Sequence, residues 1–267
     1  MSALPILHGS RLSLGTSPQL DGTRWTPRLW IAGLVKRGPR LRGSHLECQT
    51  YPLLRRIAPL IAVSWRVFGD LVERYDSWYA KNNITYENEL DAVAALGLRG
   101  LGAEIGVGTG RFASKLGARI GIDLSEGMLR AAAGRGVEVL RAPAERLPLR
   151  ASSLDYVLFV VTLCFLDDPA GALVEARRAL RGGGVVAACI VPADSEWGRY
   201  YASKGGPFYR LARFYTTDEL QSMMRSAGLD PDAISSTLSY GPLDAPHRER
   251  PSSNPRAGFV CIRSRAA

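Results

Sequence analysis

The stretch most able to do chemistry is a glycine-rich segment that runs from Ala103 to Arg111 and reads AEIGVGTGR. Its three glycines are Gly106, Gly108 and Gly110. Because glycine has no Cβ, such a loop can turn sharply and let a ligand lie against its backbone. Loops that bind a pyrophosphate carry G-x-G-x-x-G, whereas here the third glycine comes one position early and Arg111 follows it. The spacing counts against a dinucleotide site, and the loop alone is weak evidence for a ligand.

Asp123 is the second candidate, because it ends the apolar segment Gly121–Asp123 that follows the glycine loop. An acid at the tip of the second strand can accept two hydrogen bonds from a ribose diol. The alternative is that Asp123 only caps the helix behind it. In this context we favour the ribose role.

The cysteines and histidines do not form a metal-binding pattern. The three histidines accompany four cysteines without a CxxC pair, namely Cys48, Cys164, Cys189 and Cys261. We therefore expect no metal site. Scattered single cysteines suit a reducing compartment, so we expect a cytoplasmic protein. Cys189 and Cys261 lie in apolar runs, and we expect them to be buried as small hydrophobic residues.

The candidate residues lie at strand ends in an alternation of strands and helices. Strands are predicted at residues 103–107, 119–122, 137–140, 154–161, 185–191 and 257–262. Helices are predicted twice within 71–96 and at 111–116, 125–134, 169–180 and 216–227. This alternation predicts an α/β fold with a doubly wound, mostly parallel sheet and right-handed crossovers. Ligands of such sheets bind beyond the carboxyl ends of the strands.

Local signals refine this outline. Ser125 and Thr217 are expected to cap helices, and the glycines at 182–184 are expected to form a turn before the fifth strand. The apolar run 154–161 predicts a strand that is covered on both faces. In the second of the two N-terminal helices, the buried stripe is predicted to contain Ile84, Leu90, Val93, Ala94 and Leu96.

The net charge of +9 is concentrated at the N-terminus. Residues 1–66 hold ten basic residues against two acidic ones, and residues 67–267 are nearly balanced, with 24 against 23. We predict an irregular, poorly ordered basic extension over 1–66, whose start could lie upstream of the natural one, and a folded domain over 67–267. A basic arm for RNA is the alternative, but the balanced body makes a nucleic-acid partner unexpected. No apolar run of ~18 residues predicts a membrane span.

Several motifs occur together in a recognisable order. EIGVGTG, GIDLSEGML, AERLPL, LDYVLFVVTLCFLDDP and ALRGGG together resemble the motifs of class I S-adenosylmethionine-dependent methyltransferases, which have a Rossmann-like fold. The type is the small-molecule one, similar to the quinone-biosynthesis methyltransferases. The resemblance covers Tyr75 to Ile262. The segment PFYRLARFY at 207–215 also resembles a prokaryotic subgroup of this family.

The resemblance implies S-adenosylmethionine as the cofactor and assigns roles by position. Glu104 would lie near the methionine amino group, and Asp123 would hold the ribose. The three glycines would pass under the methionine and sugar. Contacts near the adenine or the methyl group would come from Leu124, Ala144, Glu145 and Val161. Some relatives have Asp where this chain has Pro143, so the adenine amino group is expected to bind a backbone carbonyl or to be held loosely.

The acceptor is expected to be a small molecule bound between aromatic segments. Methyl transfer depends mainly on alignment and desolvation, so no catalytic residue is predicted. Candidate acceptor residues are Tyr75, Tyr79, Trp197, Tyr200 and Arg213, for most of which ordinary packing is the more common role. Arg213 would pair either with an acidic group of the acceptor or with a surface acid. Cys164 could approach the site, but a core thiol is favoured.

Three other functions compete with this interpretation. A nicotinamide-dependent oxidoreductase would use a similar sheet, but the glycine spacing opposes it. A cofactor-binding module without activity, or an RNA-directed methyltransferase that uses the basic arm, would share the fold. The sequence does not indicate the methylated atom or the oligomeric state.

Overall fold

The computed structural model describes residues 64–266. The helices are α1 (Ser64–Asp70), α2 (Val72–Lys81), α3 (Asn83–Ala94), α4 (Arg111–Leu116), α5 (Glu126–Gly134), α6 (Pro169–Ala179), α7 (Glu196–Lys204) and α8 (Thr217–Ser226). The strands are β1 (Gly102–Ile105), β2 (Ile120–Asp123), β3 (Glu138–Arg141), β4 (Leu154–Val160), β5 (Leu180–Ile190), β6 (Leu229–Thr237) and β7 (Phe259–Ala266). Most of the predicted extension 1–66 lies outside the described residues, although its last three residues begin α1.

The strands form one sheet in the order β3-β2-β1-β4-β5-β7-β6. The first five pair in parallel, and β7 runs antiparallel between β5 and β6. The order reverses beside β1, so the loops after β1 and β4 leave the sheet next to each other. This confirms the predicted doubly wound, mostly parallel α/β fold and places the candidate residues at the switch point.

Helices cover both faces of the sheet. Along β4, successive side chains alternate between two buried clusters, with Val157 and Phe159 on the α6–α8 face and Leu158 on the face covered by α3, α4, α5 and α7. The continuous apolar run at 154–161 is explained by this burial on both sides. Among residues 64–266, no helix is long and apolar enough to cross a bilayer.

Two of the local predictions were wrong, namely the cap at Thr217 and the turn at 182–184. Ser125 does cap α5, since its hydroxyl accepts from the Met128 N–H. The cap of α8 is Thr216 and not Thr217, because Thr216 and Glu219 form a reciprocal capping box. The glycines at 182–184 belong to β5, whose pairing with β4 shifts register between Leu154 and Tyr156. An irregular strand start therefore takes the place of the predicted turn.

The prediction missed β6, which pairs with β7 along most of its length. Its sequence, LDPDAISST, contains Pro231 and two aspartates and has no clear alternation. Asp232 forms ion pairs with Arg263 and Arg265 of β7. Cross-strand pairs of this kind stabilise an edge strand that intrinsic preferences alone would not predict.

Cys189 and Cys261 are joined in a disulfide, so the prediction of two buried free thiols was wrong. They face each other in the antiparallel β5–β7 pair, with Cα atoms 3.9 Å apart. Spacing along the chain could not predict this contact, because the two cysteines are 72 residues apart. The pairing removes the argument from scattered cysteines for a reducing compartment.

The buried face of α3 is also different from the predicted stripe. Ala94 is exposed, and Ile84 and Leu90 are only partly buried, whereas Val93 and Leu96 are buried as expected. The buried face of α3 instead includes three polar residues, namely Thr85, Asn88 and Glu89. An apolar criterion cannot find a helix face that is buried through polar side chains.

Candidate functional site

The glycine loop leaves β1 at Ile105 and enters α4 at Arg111. The N–H groups of Gly106 and Val107 both donate to the Ile122 carbonyl, at 2.7 and 3.1 Å, which binds the loop to the end of β2. Gly106, Gly108 and Gly110 all have positive φ, a region that side chains other than glycine rarely adopt. The loop therefore needs glycine at three alternate positions.

The space around each glycine distinguishes the three. A Cβ on Gly106 would lie 2.2 Å from a methyl carbon of Thr162, and one on Gly110 would lie 2.9 Å from the Ala132 Cα. A Cβ on Gly108 would meet only the ring of Tyr75, at 3.6 Å. Gly106 and Gly110 thus allow the protein to pack, whereas Gly108 lies beneath the Tyr75 ring with room for a Cβ.

Asp123 is placed to fix the loop and to face a ligand. Its carboxylate accepts the Gly108 N–H at 3.0 Å and the Ser125 N–H at 2.9 Å, one on each oxygen. Each oxygen keeps a free lone pair that could accept a hydroxyl donor. Burial raises the pKa of Asp123 against the lowering effect of these hydrogen bonds. Since the cap of α5 is Ser125, the alternative role of Asp123 as that cap is not supported.

Glu104 is buried in β1, and its Oε2 atom has no hydrogen-bond partner. Burial raises the pKa of this carboxyl group to about 8. A buried oxygen without a partner is unfavourable unless a ligand or water supplies a donor. A cavity of about 10 Å³ adjoins Glu104, with Gly106, Tyr75 and Tyr79 also in its lining. The arrangement provides a carboxylate that could receive a cationic group beside the glycine loop.

The residues that the resemblance places near adenine lie at the ends of β2 and β3. Leu124 is partly exposed, and its carbonyl accepts from the Arg141 side chain at 2.8 Å. Ala144 is buried and Glu145 half-buried in the turn after β3, where burial raises the pKa of Glu145. The Arg141 guanidinium lies 5.5 Å from the ring centroid of Trp65, so α1 borders this side of the site.

Val161 follows β4 with a φ of +49°. This backbone region is uncommon for a β-branched residue, and strain of this kind clusters at functional sites. The Val161 N–H donates to the Cys189 carbonyl, which holds the turn against β5. The next residue, Thr162, packs under Gly106 and donates to the Val160 carbonyl. The end of β4 is thereby fixed against the glycine loop.

Asp76 attaches α2 to the glycine loop, and sequence reasoning missed it. Its carboxylate accepts from Thr109 and Arg111, both at 2.7 Å, and from Arg135 at 2.9 Å. Burial would raise the pKa of Asp76, but the hydrogen bonds from Arg111 and Thr109 and the charge of Arg135 outweigh it and lower the pKa to about 2. Arg111, directly after the loop, was the signal in the sequence that could have indicated Asp76. An arginine that is half-buried needs an acidic residue to pair with its charge.

Aromatic rings close over the loop. The Tyr75 and Tyr79 hydroxyls are 3.0 Å apart. The Phe68 ring stacks on Phe208 and meets Phe165 edge-on, both at 4.9 Å between centroids. The two aromatic segments expected around the acceptor therefore do meet. Phe68 of α1 joins them and was not predicted.

The other predicted acceptor residues lie elsewhere. Trp197 is buried in the core, and its indole N–H donates to the Tyr240 carbonyl at 2.7 Å. Tyr200 is half-buried beneath Lys204, and Arg213 is exposed over the Tyr215 ring. The described residues that line the cavity at Glu104 do not include these three.

Cys164 lies just after β4 and is buried. Burial raises the pKa of its thiol to about 12, which favours the protonated thiol over the more nucleophilic thiolate at neutral pH. Among residues 64–266, no group of three or more potential ligands could hold a metal ion.

Sequence comparisons agree with this geometry. The model of a family described as a methyltransferase domain matches residues 103–188, which include the glycine loop and Asp123. An uncharacterized protein of Methanocaldococcus jannaschii is 37% identical over 164 residues, or 61% of this chain and 80% of that protein. A ubiquinone biosynthesis O-methyltransferase of Cereibacter sphaeroides is 30% identical over 176 residues, or 57% of this chain and 70% of that enzyme.

A solved structure is similar to this chain in both sequence and fold. It is an S-adenosylmethionine-dependent methyltransferase from Thermotoga maritima, described as a possible histamine N-methyltransferase. The identity is 40% and the TM-score 0.72, and the match covers 76% of this chain and 100% of that one.

Proposed function

The chain belongs to the class I S-adenosylmethionine-dependent methyltransferases, and from that premise we propose that it methylates a small molecule held under the aromatic rings of α1 and α2. The observation that carries the proposal is the closed aromatic cover formed by Phe68, Tyr75 and Phe208 over the glycine loop. A cover of this kind fits a compact acceptor and excludes water from the reacting atoms.

The residues at the site fit S-adenosylmethionine, the cofactor of this family. The orphan Oε2 of Glu104 would accept from the methionine ammonium group, whose charge would lower the raised pKa of Glu104. Gly108 offers a surface without a side chain. Asp123 has free lone pairs for the two ribose hydroxyls, and Leu124 would contact the adenine beside Ala144 and Glu145.

When bound, the cofactor supplies a methyl group already activated by its sulfonium. The chain therefore needs mainly to align the acceptor and keep water away. A strong base is not a general requirement of the reaction. Val161, fixed between β5 and Thr162, would form a rigid wall near the methyl group. Tyr75 lies over Gly108, so a nucleoside could reach the loop only after this ring shifts.

A direct test uses the full-length chain with methyl-tritiated S-adenosylmethionine and a metabolite extract, followed by separation of small molecules, RNA and protein. The proposal expects label in the small-molecule fraction. A Gly108→Val variant, which cannot accommodate the cofactor, should give none. Label in RNA or protein alone, or no difference between wild type and the variant, would contradict the proposal.

A further inference from the structure

Another cavity lies at the edge of the sheet opposite the glycine loop. Its volume is about 260 Å³, and its lining comes from the turn before β1, the starts of β4 and β5, and the end of β7. Those are the amino ends of the parallel strands. From Asp155 to Val160, β4 alone separates the two edges by about 17 Å, at ~3.3 Å per residue. The two cavities share no lining residue, so this one is separate from the cofactor site.

Positive charge dominates this cavity. Its lining contains one acid, Asp155, and four arginines, namely Arg99, Arg181, Arg263 and Arg265. Asp232, outside the lining, pairs with Arg263 and Arg265. Four arginines against these two acids leave a net charge of +2. Since three separate segments bring the arginines together, the fold produces the cluster, which is not a basic run in the sequence.

Two of the guanidinium groups keep donors free. Arg99 is exposed, and within residues 64–266 its side chain makes no hydrogen bond or ion pair. Arg265 donates from Nε to Asp232 at 2.6 Å, and its two terminal nitrogens have no acceptor in that same part of the chain. Guanidinium N–H groups bind oxyanions in planar pairs. Arg99 and Arg265 therefore offer donors to an anion.

The other two arginines are held by the protein. Arg263 donates to the Leu96 carbonyl at 2.8 Å. Arg181 donates to the Ser153 carbonyl at 2.9 Å and lies 3.2 Å from Asp155. Side chains that are fixed before a ligand arrives lose little conformational freedom on binding. Arg181 and Arg263 thus hold positive charge at fixed positions in the cavity wall.

The glycine run at 182–184 also lines this cavity. The register of β5 against β4 shifts between Leu154 and Tyr156, and residues 181–184 bulge out of the ladder there. A Cβ on Gly182 or Gly183 would meet nothing within 4 Å. Bulges are frequent beside functional sites, and glycine lets a ligand approach the backbone closely. The run therefore gives a ligand access to the backbone beside the arginines.

Size and shape restrict the anion. A volume of 260 Å³ corresponds to about nine waters at ~30 Å³ each, which exceeds a single phosphate or sulfate ion. It is below the ~300–1,000 Å³ of pockets for drug-sized ligands. The arginines approach from three segments. Tetrahedral phosphate oxygens accept from several directions, whereas the two oxygens of a carboxylate lie in one plane. A diphosphate group, with two linked tetrahedra, matches this arrangement.

We propose that this cavity binds a diphosphate group, with Arg99 and Arg265 as its main donors and the glycine bulge of β5 against its oxygens. The inference goes beyond the proposed function and does not depend on it, because the two cavities are separate. Free diphosphate and a nucleoside diphosphate present the same group, and the test distinguishes these two sources.

The test is calorimetric titration of the full-length chain in a buffer without divalent cations. Excess S-adenosylhomocysteine keeps adenine nucleotides out of the cofactor site. The probes are pyrophosphate, ADP and citrate, which is a carboxylate of similar charge. One pyrophosphate should bind per chain, at least about tenfold tighter than citrate. Tighter binding of ADP than of pyrophosphate identifies a nucleoside diphosphate as the ligand, and binding of ADP that is no tighter identifies free diphosphate.

Variants of the arginines locate the binding. Because Arg99 has no partner among residues 64–266, Arg99→Gln should leave the thermal midpoint unchanged. It should weaken pyrophosphate binding about tenfold, the scale of a charge-assisted hydrogen bond. Adding Arg265→Gln should bring the loss to about 100-fold. Arg99→Lys keeps the charge without the planar fork, so its affinity should lie between those of wild type and Arg99→Gln.

Arg225→Gln is the matched control. Arg225 is an exposed arginine of α8 that donates to Gln221 of the same helix and is outside the cavity lining. Its loss should change pyrophosphate affinity by less than about twofold. The control is needed because residues 1–66 hold ten basic residues against two acidic ones, and such a charge attracts polyanions without a defined site.

Absence of pyrophosphate binding would overturn the inference, as would citrate binding of equal affinity. Equal losses in Arg99→Gln and Arg225→Gln would also overturn it, because net charge alone would then explain the binding. Binding of a single-stranded RNA oligonucleotide that is lost in Arg99→Gln, without binding of pyrophosphate, would assign the cluster to nucleic acid instead. Failure of S-adenosylhomocysteine to bind would contradict the cofactor assignment and leave this inference standing.

Discussion

Gly108→Ala should damage cofactor binding far more than it damages the fold. Gly108 has a φ of +52°, so an alanine there is strained by about 1 kcal/mol or somewhat more. Its Cβ would lie no closer than 3.6 Å to any neighbouring atom of the protein, which adds no steric penalty. The methyl group would project into the space above the loop where the cofactor must lie.

Gly117→Ala is the matched control. Gly117 follows α4 with a φ of +78° and has nothing within 4 Å of its Cβ position, so the backbone strain is the same and no ligand is near. Gly110→Ala adds a second comparison, because its Cβ would lie 2.9 Å from the Ala132 backbone. Overpacking of this kind costs about 1–3 kcal/mol beyond the strain.

Urea unfolding should therefore rank Gly110→Ala as the least stable variant, with Gly108→Ala and Gly117→Ala within about 0.5 kcal/mol of each other. Calorimetric titration with S-adenosylhomocysteine should show unchanged affinity in Gly117→Ala. In Gly108→Ala the affinity should fall about 10- to 100-fold, the equivalent of about 1–3 kcal/mol of steric conflict. Equal affinity in these two variants would refute the assignment of Gly108 to the cofactor surface.

Three further outcomes follow from the same contacts. Asp123→Ala should weaken S-adenosylhomocysteine binding by about 1.5–3 kcal/mol in calorimetry; a loss of only a few tenths would restrict Asp123 to holding the Gly108 and Ser125 N–H groups. Glu104 is protonated in the folded chain but ionised in the unfolded chain between its ordinary pKa of 4.5 and about 8. Stability should fall as pH rises through that window, by at most about 5 kcal/mol, and a Glu104→Gln variant should show a flatter profile in urea titrations at several pH values. Asp76 has a lowered pKa, so its contribution to the stability of the fold is present above pH 3.8 and lost as pH falls through about 2. Asp76→Asn should lower the free energy of unfolding by about 1–2 kcal/mol and speed hydrogen exchange in α2. Unchanged exchange would show that the helix does not depend on this contact.

The sheet was predictable because its signals are local. Each parallel strand contains a short apolar run, and β4 is apolar apart from Asp155 because both of its faces are buried. The antiparallel edge was less predictable, because β6 is held by contacts with β7 that lie far away in the sequence. The disulfide between Cys189 and Cys261 follows from the register of β5 against β7, which spacing along the chain does not encode.

Different reasons limit the prediction of the site. The glycines and Asp123 could be located because backbone geometry at a strand end demands particular residue types. Asp76 could not, because its role depends on side chains from separate segments that meet only in the folded chain. On α3, the search for an apolar stripe found the buried Val93 and Leu96 but could not find the buried polar residues Thr85, Asn88 and Glu89. The burial of charged residues on a helix face can be recognised only after the packing of that helix is known.

The central claim is that the site at the carboxyl ends of the strands binds an S-adenosyl nucleoside. Calorimetric titration of the full-length chain with S-adenosylhomocysteine, and separately with NAD, tests it most directly. The account predicts binding of one S-adenosylhomocysteine per chain and no heat of binding with NAD. Binding of NAD without binding of S-adenosylhomocysteine would contradict the account.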